Sequence, residues 1–275
     1  MISTQESGSV STTCDVCGES LFMDIEILGK MRTVRCVCEC EKEEYQKRKE
    51  WEKNQKKIQR LEKLRKYSLM DDRFEGCTLE AWSDDIGNAK LKRIVERYIE
   101  HWTEMLESNI GLLVHGDPGI GKTHAAFTIA NEIIDRYNTP VIAISSIGLL
   151  SRIKETYAKY GNEAEIDIIN RLKNAQLLII DDFGAEQKTV WATSMLYQII
   201  DSRYRSGKPM FITTNLTLKQ LQEKLTADDG IDRIYDRIVE ACQPVEVKGK
   251  SNRAKVAKEK QRMLIDLLKD ERSDS

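Results

Sequence analysis

A glycine-rich segment of this sequence has the residue types needed to hold the phosphate groups of a nucleotide. Residues 116–123 read GDPGIGKT and fit the pattern G-x-x-x-x-G-K-[ST] between an apolar strand and a helix. In such a loop the backbone N–H groups and the amino end of the helix bind phosphate oxygens, the lysine reaches the β and γ phosphates, and the hydroxyl side chain ligates Mg2+. The alternative is an ordinary glycine-rich turn. We expect ATP and Mg2+ to bind at these consecutive residues: Gly116, Asp117, Pro118, Gly119, Ile120, Gly121, Lys122, Thr123 and His124.

Two adjacent carboxylates follow an apolar run further along the chain. Residues 176–180 read QLLII and precede Asp181 and Asp182, a pattern that predicts a buried parallel strand with acids at its carboxyl end. Because ligands of such sheets lie beyond the carboxyl ends of the strands, we expect Asp181 to ligate Mg2+ and Asp182 to orient the attacking water. A strand followed by a simple turn is the alternative. A glutamate is commoner at the position of Asp182 in fast ATPases, so slow hydrolysis is our hypothesis.

A third strand is expected to end at the same edge of the sheet. Residues 209–214 read PMFITT and are followed by Asn215. This side chain is predicted to hydrogen-bond the attacking water or the γ phosphate. Asparagine is also a common residue before a helix, so it could instead cap the helix that begins near Leu218.

Three arginines near the carboxyl end could complete a catalytic site. Arg233 and Arg237 stand four residues apart on one face of a predicted helix, where they could reach a nucleotide bound to a neighbouring subunit. The alternative is a pair of surface ion bridges to Asp232 and Asp236. Arg253 follows a further strand-like segment.

Five of the seven cysteines lie close together near the amino end, in a C-x-x-C pair and a C-x-C-x-C group: Cys14, Cys17, Cys36, Cys38 and Cys40. Four thiolates in tetrahedral geometry would bind Zn2+ and stabilise a module too small to have its own core. The spacing does not say which cysteine of the C-x-C-x-C group is not a ligand. A disulfide or free thiols are the alternative. Cys77 and Cys242 stand alone and are expected to be small buried apolar residues.

Composition narrows the class of protein. The chain has 275 residues, 32% of them charged, with a net charge of −2 and no apolar run near the roughly 20 residues needed to span a bilayer. Its first residues lack the basic and apolar regions of a signal peptide, so we expect a cytoplasmic protein without membrane contact. The near-neutral charge argues against a dedicated duplex DNA binder but allows a local basic groove.

The sequence divides into three predicted regions: a zinc-binding module at 1–40, a charged helical segment at 41–70 and an ATPase domain at 71–275. In the charged segment basic residues outnumber acidic ones around a thin apolar stripe, which fits either a solvated connecting helix or an arm that docks on a partner or nucleic acid. A helix is expected over 89–107. Strands and helices then alternate, which predicts an α/β fold with a parallel sheet flanked by helices.

The arrangement resembles the AAA+ replicative helicase loaders of the DnaC/DnaI type over most of the chain. The resemblance rests on the phosphate loop and on four other segments: LLIIDDFGAE at 177–186, YQIIDSRY at 197–204, TTN at 213–215 and RIYDR at 233–237. It implies an AAA+ P-loop ATPase in which Asn215 is sensor I, Arg233 is an arginine finger acting on the next subunit and Arg253 is sensor II.

The resemblance also implies partners. Loaders of this type assemble on a hexameric replicative DNA helicase and bind single-stranded DNA, partly through the segment that here contains Lys188, Thr189 and Trp191. Trp191 could stack on a base, although a tryptophan at a helix start could equally pack in the core. The cysteine-rich region at 1–66 would hold the helicase, and its layout looks like phage or prophage versions. Hydrolysis, stimulated by single-stranded DNA, would release the loader.

Two other functions fit the same core. A transposition ATPase of the IstB type shares the AAA+ domain and acts on duplex DNA with a transposase, but the cysteine-rich module argues against it. A non-catalytic adaptor would hold a helicase and bind the nucleotide only as a structural ligand. An origin-binding initiator of the DnaA type is disfavoured, because the residues after Arg253 are too few for a helix-turn-helix domain.

Overall fold

The computed structural model describes residues 12–82, 89–160, 162–226, 230–249 and 251–270. The chain forms two compact units, residues 1–60 and 61–275. The first eleven residues of the predicted zinc-binding module therefore lie outside the described part of the chain. The three-region division expected from the sequence stays a prediction.

The first unit contains an antiparallel hairpin and the start of a long helix. Strands β1 (Phe22–Ile27) and β2 (Lys30–Arg35) pair along their whole length and are joined by a two-residue turn. Both turn residues have positive φ, the backbone geometry of the tight turns that match strand twist. Helix α1 (Glu39–Tyr67) follows and has no buried residue, as its highly charged sequence predicts.

The second unit is built on a five-stranded parallel sheet in the order β4-β5-β6-β3-β7. Its strands are β3 (Gly111–Gly116), β4 (Val141–Ser145), β5 (Leu177–Asp181), β6 (Met210–Thr214) and β7 (Cys242–Val247). Because β5, β6 and β3 are neighbours and run the same way, the residues that follow them meet at one edge. The predicted fold class is confirmed.

Helices cover both faces of this sheet. They are α2 (Ala89–Glu100), α3 (Trp102–Glu107), α4 (Lys122–Tyr137), α5 (Ser146–Tyr160), α6 (Asn162–Asn174), α7 (Val190–Ser206), α8 (Leu218–Leu225), α9 (Arg233–Ala241) and α10 (Asn252–Asp270), with one 3-10 turn at Asp72–Phe74. The sequence predicts a single helix over 89–107, and this prediction is wrong in one detail. The backbone departs from helical dihedrals at His101, which has φ −99° and ψ 23°, so the segment is divided into α2 and α3.

Strand residues alternate between two apolar layers. Leu113 faces the layer packed by α5 to α9, whereas Leu112 and Val114 face the layer packed by α2 to α4. Burial on both faces explains why the strands read as continuous apolar runs. No helix in the described part of the chain is long and apolar enough to cross a membrane.

Candidate functional site

The glycine-rich loop curls between the end of β3 and the start of α4. Gly116, Gly119 and Gly121 have φ of 142°, 81° and 95°, a region of backbone space that other residues rarely adopt. A Cβ atom on Gly116 would collide with the carbonyl oxygen of Val247, and one on Gly119 would collide with the side chain of Ser251. Glycine is therefore required both for the curl and for close packing against the end of β7 and the segment that follows it.

Lys122 lies inside this curl and is only 5% exposed. Its Nζ donates hydrogen bonds to the carbonyl oxygens of Gly116 (2.8 Å) and Asp117 (2.6 Å). Burial lowers the pKa of the ammonium group, and the nearby carboxylates of Asp182, Asp181 and Asp117 oppose that shift. The amino group is thus held at the loop by carbonyls that a phosphate could replace.

Asp181 ends β5 beside the first turn of α4. Its Oδ1 accepts a 2.6 Å hydrogen bond from the hydroxyl of Thr213, and the hydroxyl of Thr123 also bonds its carboxylate. Burial raises the pKa of Asp181 despite these hydrogen bonds. The two groups expected to ligate Mg2+, the Thr123 hydroxyl and the Asp181 carboxylate, therefore lie together, in the oxygen-rich surroundings that this ion prefers.

Asp182 and Asn215 are also brought together. The amide nitrogen Nδ2 of Asn215 donates a 2.7 Å hydrogen bond to Oδ1 of Asp182, whose backbone is left-handed with φ 53°. The alternative that Asn215 caps the next helix is wrong, because Thr217 caps α8 in a reciprocal pair with Gln220. Sequence reasoning missed Thr213, which accepts from the N–H of Asp182 (3.0 Å) and donates to the preceding aspartate.

A cavity of about 750 Å³ opens beside these groups. Thr123, Asp181, Asp182 and Arg253 line it, so the predicted sensor II arginine shares a cavity with the predicted magnesium ligands. The N–H of Asn252 donates to the carbonyl of Gly119 (2.9 Å), which fixes the start of α10 on the phosphate loop. This volume lies within the range of small-ligand pockets.

Two members of the predicted loop site have mainly apolar surroundings. The side chain of Ile120 is 2% exposed and packs in the core layer of α2 to α4, so only its backbone faces the loop. The His124 ring lies edge-on to Trp82 with centroids 4.9 Å apart, and its Nδ1 lies 3.2 Å from the hydroxyl of Thr128. Burial lowers the pKa of His124, which favours the neutral ring.

The two candidate finger arginines have different surroundings. Arg233 begins α9 and lines a second cavity of about 710 Å³. Arg237 pairs with Asp201 of α7 at 2.9 Å, and its guanidinium lies over the Tyr197 ring, 4.9 Å from the centroid. The structure thus pairs Arg237 with an aspartate of α7, a partner that the sequence had not suggested.

The candidate DNA-binding residues surround the start of α7. The Nζ of Lys188 donates to the carbonyl of Thr226 (2.9 Å), and Thr189 caps α7 by accepting from the N–H of Ala192 (3.1 Å). Trp191 is 40% exposed, so the alternative that it packs in the core is wrong. A partly exposed indole beside a lysine leaves base stacking as a prediction.

Four cysteines converge in the first unit. The Sγ atoms of Cys14, Cys17, Cys38 and Cys40 all lie within 4.8 Å of one another. Their contacts of 3.2–3.5 Å are longer than the roughly 2 Å of a disulfide bond. Cys36 is the fifth cysteine of the region and does not belong to this group. Its Sγ instead donates to the carbonyl of Ser20 (3.4 Å).

The electrostatics of the cluster suit a cation. Backbone N–H groups of Cys17 and Val16 lower the pKa of Cys14 to about 6. The neighbouring thiols, Cys38 first, raise the pKa of Cys40, as expected when several thiolates share one site. Of the two lone cysteines, Cys242 is buried as predicted and burial raises its pKa to about 12, whereas Cys77 is only partly buried.

Comparison with known proteins gives the context of these sites. The replicative helicase loader DnaC of Escherichia coli (strain K12) is 28% identical over 166 residues, which cover 60% of this chain and 62% of the relative. The chain thus spans less than two thirds of the length of these first relatives. The phage-like element PBSX protein XkdC of Bacillus subtilis (strain 168) is 32% identical over 136 residues, 47% of either chain.

Solved structures agree in fold. A crystal structure of the DnaC helicase loader has a TM-score of 0.54 at 22% identity, covering 65% of this chain and 100% of that one. A DnaI crystal structure has a TM-score of 0.52 at 26% identity, covering 66% and 95%. The family model of the IstB-like ATP binding protein matches residues 53–260. This segment exceeds half of the chain and contains all residues that line the cavity of Asp181 and Asp182, so the chain belongs to the family of IstB-like ATP binding proteins and resembles helicase loaders of the DnaC/DnaI type.

Proposed function

We propose that this protein is an ATP-dependent loader that binds a hexameric replicative DNA helicase through its N-terminal unit and delivers it onto single-stranded DNA. One observation carries the proposal. Thr123, Asp181 and Asp182 line one cavity, with Lys122 next to Thr123 and Asn215 hydrogen-bonded to Asp182, in a chain whose curated relatives are named helicase loaders. These relatives come from bacteria, so we place the protein in the bacterial cytoplasm; a phage origin is supported by the cysteine layout and the XkdC match.

The residues at the cavity can divide the work of ATP hydrolysis. Lys122 would exchange its loop carbonyls for the β and γ phosphates, while Thr123 and Asp181 would hold Mg2+, which supplies positive charge to the phosphates. Asp182 and Asn215, already hydrogen-bonded, would orient the attacking water. The short Asp182 side chain also shares its carboxylate with Asn215, which supports slow turnover.

An arginine from a second subunit would complete the site. Arg233 lines an open cavity at the start of α9, from which it could reach the γ phosphate of a neighbour. Arg237, which pairs with Asp201, is the second candidate. Hydrolysis would then depend on assembly of the loader on the helicase.

The four clustered cysteines would hold Zn2+ in the N-terminal unit. The donor set is complete, since four thiol sulfurs meet within 4.8 Å, and Cys36 is not needed. The metal would join the segment before β1 to the start of α1 and so give this small unit a stable framework.

Single-stranded DNA would bind near the start of α7. The exposed face of Trp191 offers a stacking surface, and Lys188 lies three residues away. The contact between Lys188 and Thr226 would be exchanged for a phosphate. Stimulation of the ATPase by single-stranded DNA is the functional consequence that we expect.

A second candidate is an IstB-type transposition ATPase, favoured by the name of the matching family model.

To test the loader proposal, we would mix the full-length protein with a bacterial replicative helicase hexamer and measure complex formation by size exclusion with light scattering, with and without ATP. A stable complex is expected for the wild type and for Lys122→Ala, which should lose nucleotide binding only. Loss of both activities in Lys122→Ala would contradict the two-unit division of labour.

The ATPase assay separates the remaining functions. Hydrolysis stimulated by single-stranded DNA would support the loader and eliminate the non-catalytic adaptor. Absence of a helicase complex, together with stimulation by duplex DNA, would favour the transposition ATPase instead.

A further inference from the structure

The tip of the β1–β2 hairpin has an unusual residue. Leu28 is 99% exposed and has φ +54°, at a turn position where asparagine, aspartate or glycine is normally found. A large apolar side chain in the left-handed region is both strained and wholly in contact with water. Neither feature helps the hairpin to fold, so an unusual residue of this kind points to a role in binding.

The strand register continues an apolar surface from this tip. Met23 lies opposite Val34, Ile25 opposite Arg32 and Ile27 opposite Lys30, so these six side chains share one face. Met23 and Ile27 are 52% and 43% exposed. We call this surface, together with Leu28, the hairpin face.

Charge is distributed unequally between the two sides of the hairpin. The hairpin face carries two cations, Lys30 and Arg32, and no carboxylate. Asp24 and Glu26 lie on the opposite side, where Asp24 accepts a 2.6 Å hydrogen bond from the hydroxyl of Thr33. A partner that covers the hairpin face should therefore combine an apolar surface with acidic groups at its edge.

The base of the hairpin is hydrogen-bonded within the segments that carry the cysteines. The N–H of Cys36 donates to the carbonyl of Leu21 (2.8 Å), and the N–H of Cys14 donates to the carbonyl of Glu19 (2.8 Å). The paired strands then run roughly 20 Å from this base to the tip at about 3.3 Å per residue. An isolated two-stranded hairpin is marginally stable, so anchorage at the base allows the tip to project as an ordered element.

We propose that the hairpin face docks into an apolar cleft bordered by carboxylates on a protein partner, with Leu28 inserted at its centre. This inference rests on the proposed function, under which the partner is the replicative helicase. Apolar side chains outnumber the two cations on the face, which fits a protein surface better than a nucleic acid, whose binding requires many phosphate contacts.

The decisive variant is Leu28→Asn in the full-length protein. Asparagine tolerates the left-handed backbone, so the melting temperature should stay the same or rise. Affinity for the helicase should fall by about tenfold or more, because the buried leucine is lost. The double variant Lys30→Glu, Arg32→Glu should also weaken binding and change its salt dependence. Glu26→Gln, on the opposite side, is the matched control and should bind as the wild type does.

The outcomes separate this inference from the proposed function. Affinity would be measured by biolayer interferometry with the immobilised helicase hexamer. Wild-type binding that Leu28→Asn leaves unchanged, or that Glu26→Gln weakens equally, would overturn the docking role of the hairpin face and leave the loader proposal in place. Failure of the wild-type protein to bind the helicase would overturn the loader proposal, and with it the partner named here.

Discussion

A charged side chain in the core provides the sharpest test of how this fold is held together. Arg203 of α7 is 0% exposed and has no carboxylate partner among the contacts described. Its guanidinium donates to the carbonyl oxygens of Leu172 (3.1 Å), Lys173 (3.0 Å), Ala175 (2.6 Å) and Pro209 (2.6 Å). The acceptors include the last turn of α6, where the helix dipole favours a cation. Burial lowers the pKa of Arg203 to about 10, so it stays charged at neutral pH.

The expected loss on Arg203→Met follows from these acceptors. The carbonyls of Leu172 and Ala175 are in buried hydrogen bonds and would lose this donor, whereas that of Pro209 would keep the N–H of Leu178 at 3.4 Å. Each unsatisfied buried group costs about 1–3 kcal/mol, and removal of a buried guanidinium offsets part of the sum. We expect a net destabilisation of about 3 kcal/mol, a large part of the roughly 5–15 kcal/mol of a typical domain.

The control substitution replaces an exposed arginine two residues further along the same helix. Arg205 is 70% exposed in its side chain and pairs with Asp201 at 2.8 Å, so Arg205→Met should change the free energy of unfolding by less than about 1 kcal/mol. Urea unfolding followed by far-UV circular dichroism would measure both variants, with the m-value as a check on two-state behaviour. Equal effects of the two substitutions would refute the reasoning. Arg203→Lys, which keeps the charge but lacks the planar fork, should fall between them.

Two further predictions concern the metal and the DNA. Cys36→Ser should retain one Zn2+ per chain by elemental analysis, whereas Cys38→Ser should lose it; the reverse pattern would contradict the assignment of Cys36 as the non-ligand. Trp191→Ala should weaken single-stranded DNA binding roughly fivefold or more in fluorescence anisotropy at fixed salt, with little change in melting temperature because the indole is partly exposed. An unchanged affinity would place the DNA elsewhere.

The nucleotide cavity was largely predictable because its signals are local. A phosphate loop needs glycines at fixed positions, and long apolar runs identify strands that are buried on both faces. The parallel arrangement then brings the residues after β5 and β6 to one edge, which is why Asp181, Asp182 and Asn215 were found from the sequence. The order of the strands in the sheet was not needed for that inference.

Other features depend on packing that no local pattern records. Helix α6 (Asn162–Asn174) and the β1–β2 hairpin were missed, since one has a mixed polar sequence and the other consists of short, mostly exposed strands. Arg203 was recognised only as part of a motif, because arginine is normally exposed and its burial depends on carbonyls from two distant segments. The choice of Cys36 as the odd cysteine depended on the backbone path after β2.

Arg203 also joins the amino ends of two neighbouring strands. Its acceptors Ala175 and Pro209 come just before β5 and β6, the strands whose opposite ends lead into the two aspartates and Asn215. A single side chain thus contacts the residues just before both strands, which pair with each other on the way to the cavity.

Arg233 lines a different cavity from the one that we assign to the nucleotide. The cavity that it lines shares no described lining residue with the cavity that contains Asp181, Asp182 and Arg253. A nucleotide held in the cavity of Asp181 and Asp182 would therefore meet Arg253 of its own chain, which α10 carries from its anchor on the phosphate loop, whereas Arg233 lines the other cavity. Under the proposed function Arg233 would act on the nucleotide of a neighbouring subunit, and the ATPase would then be a property of the assembled loader rather than of the single chain.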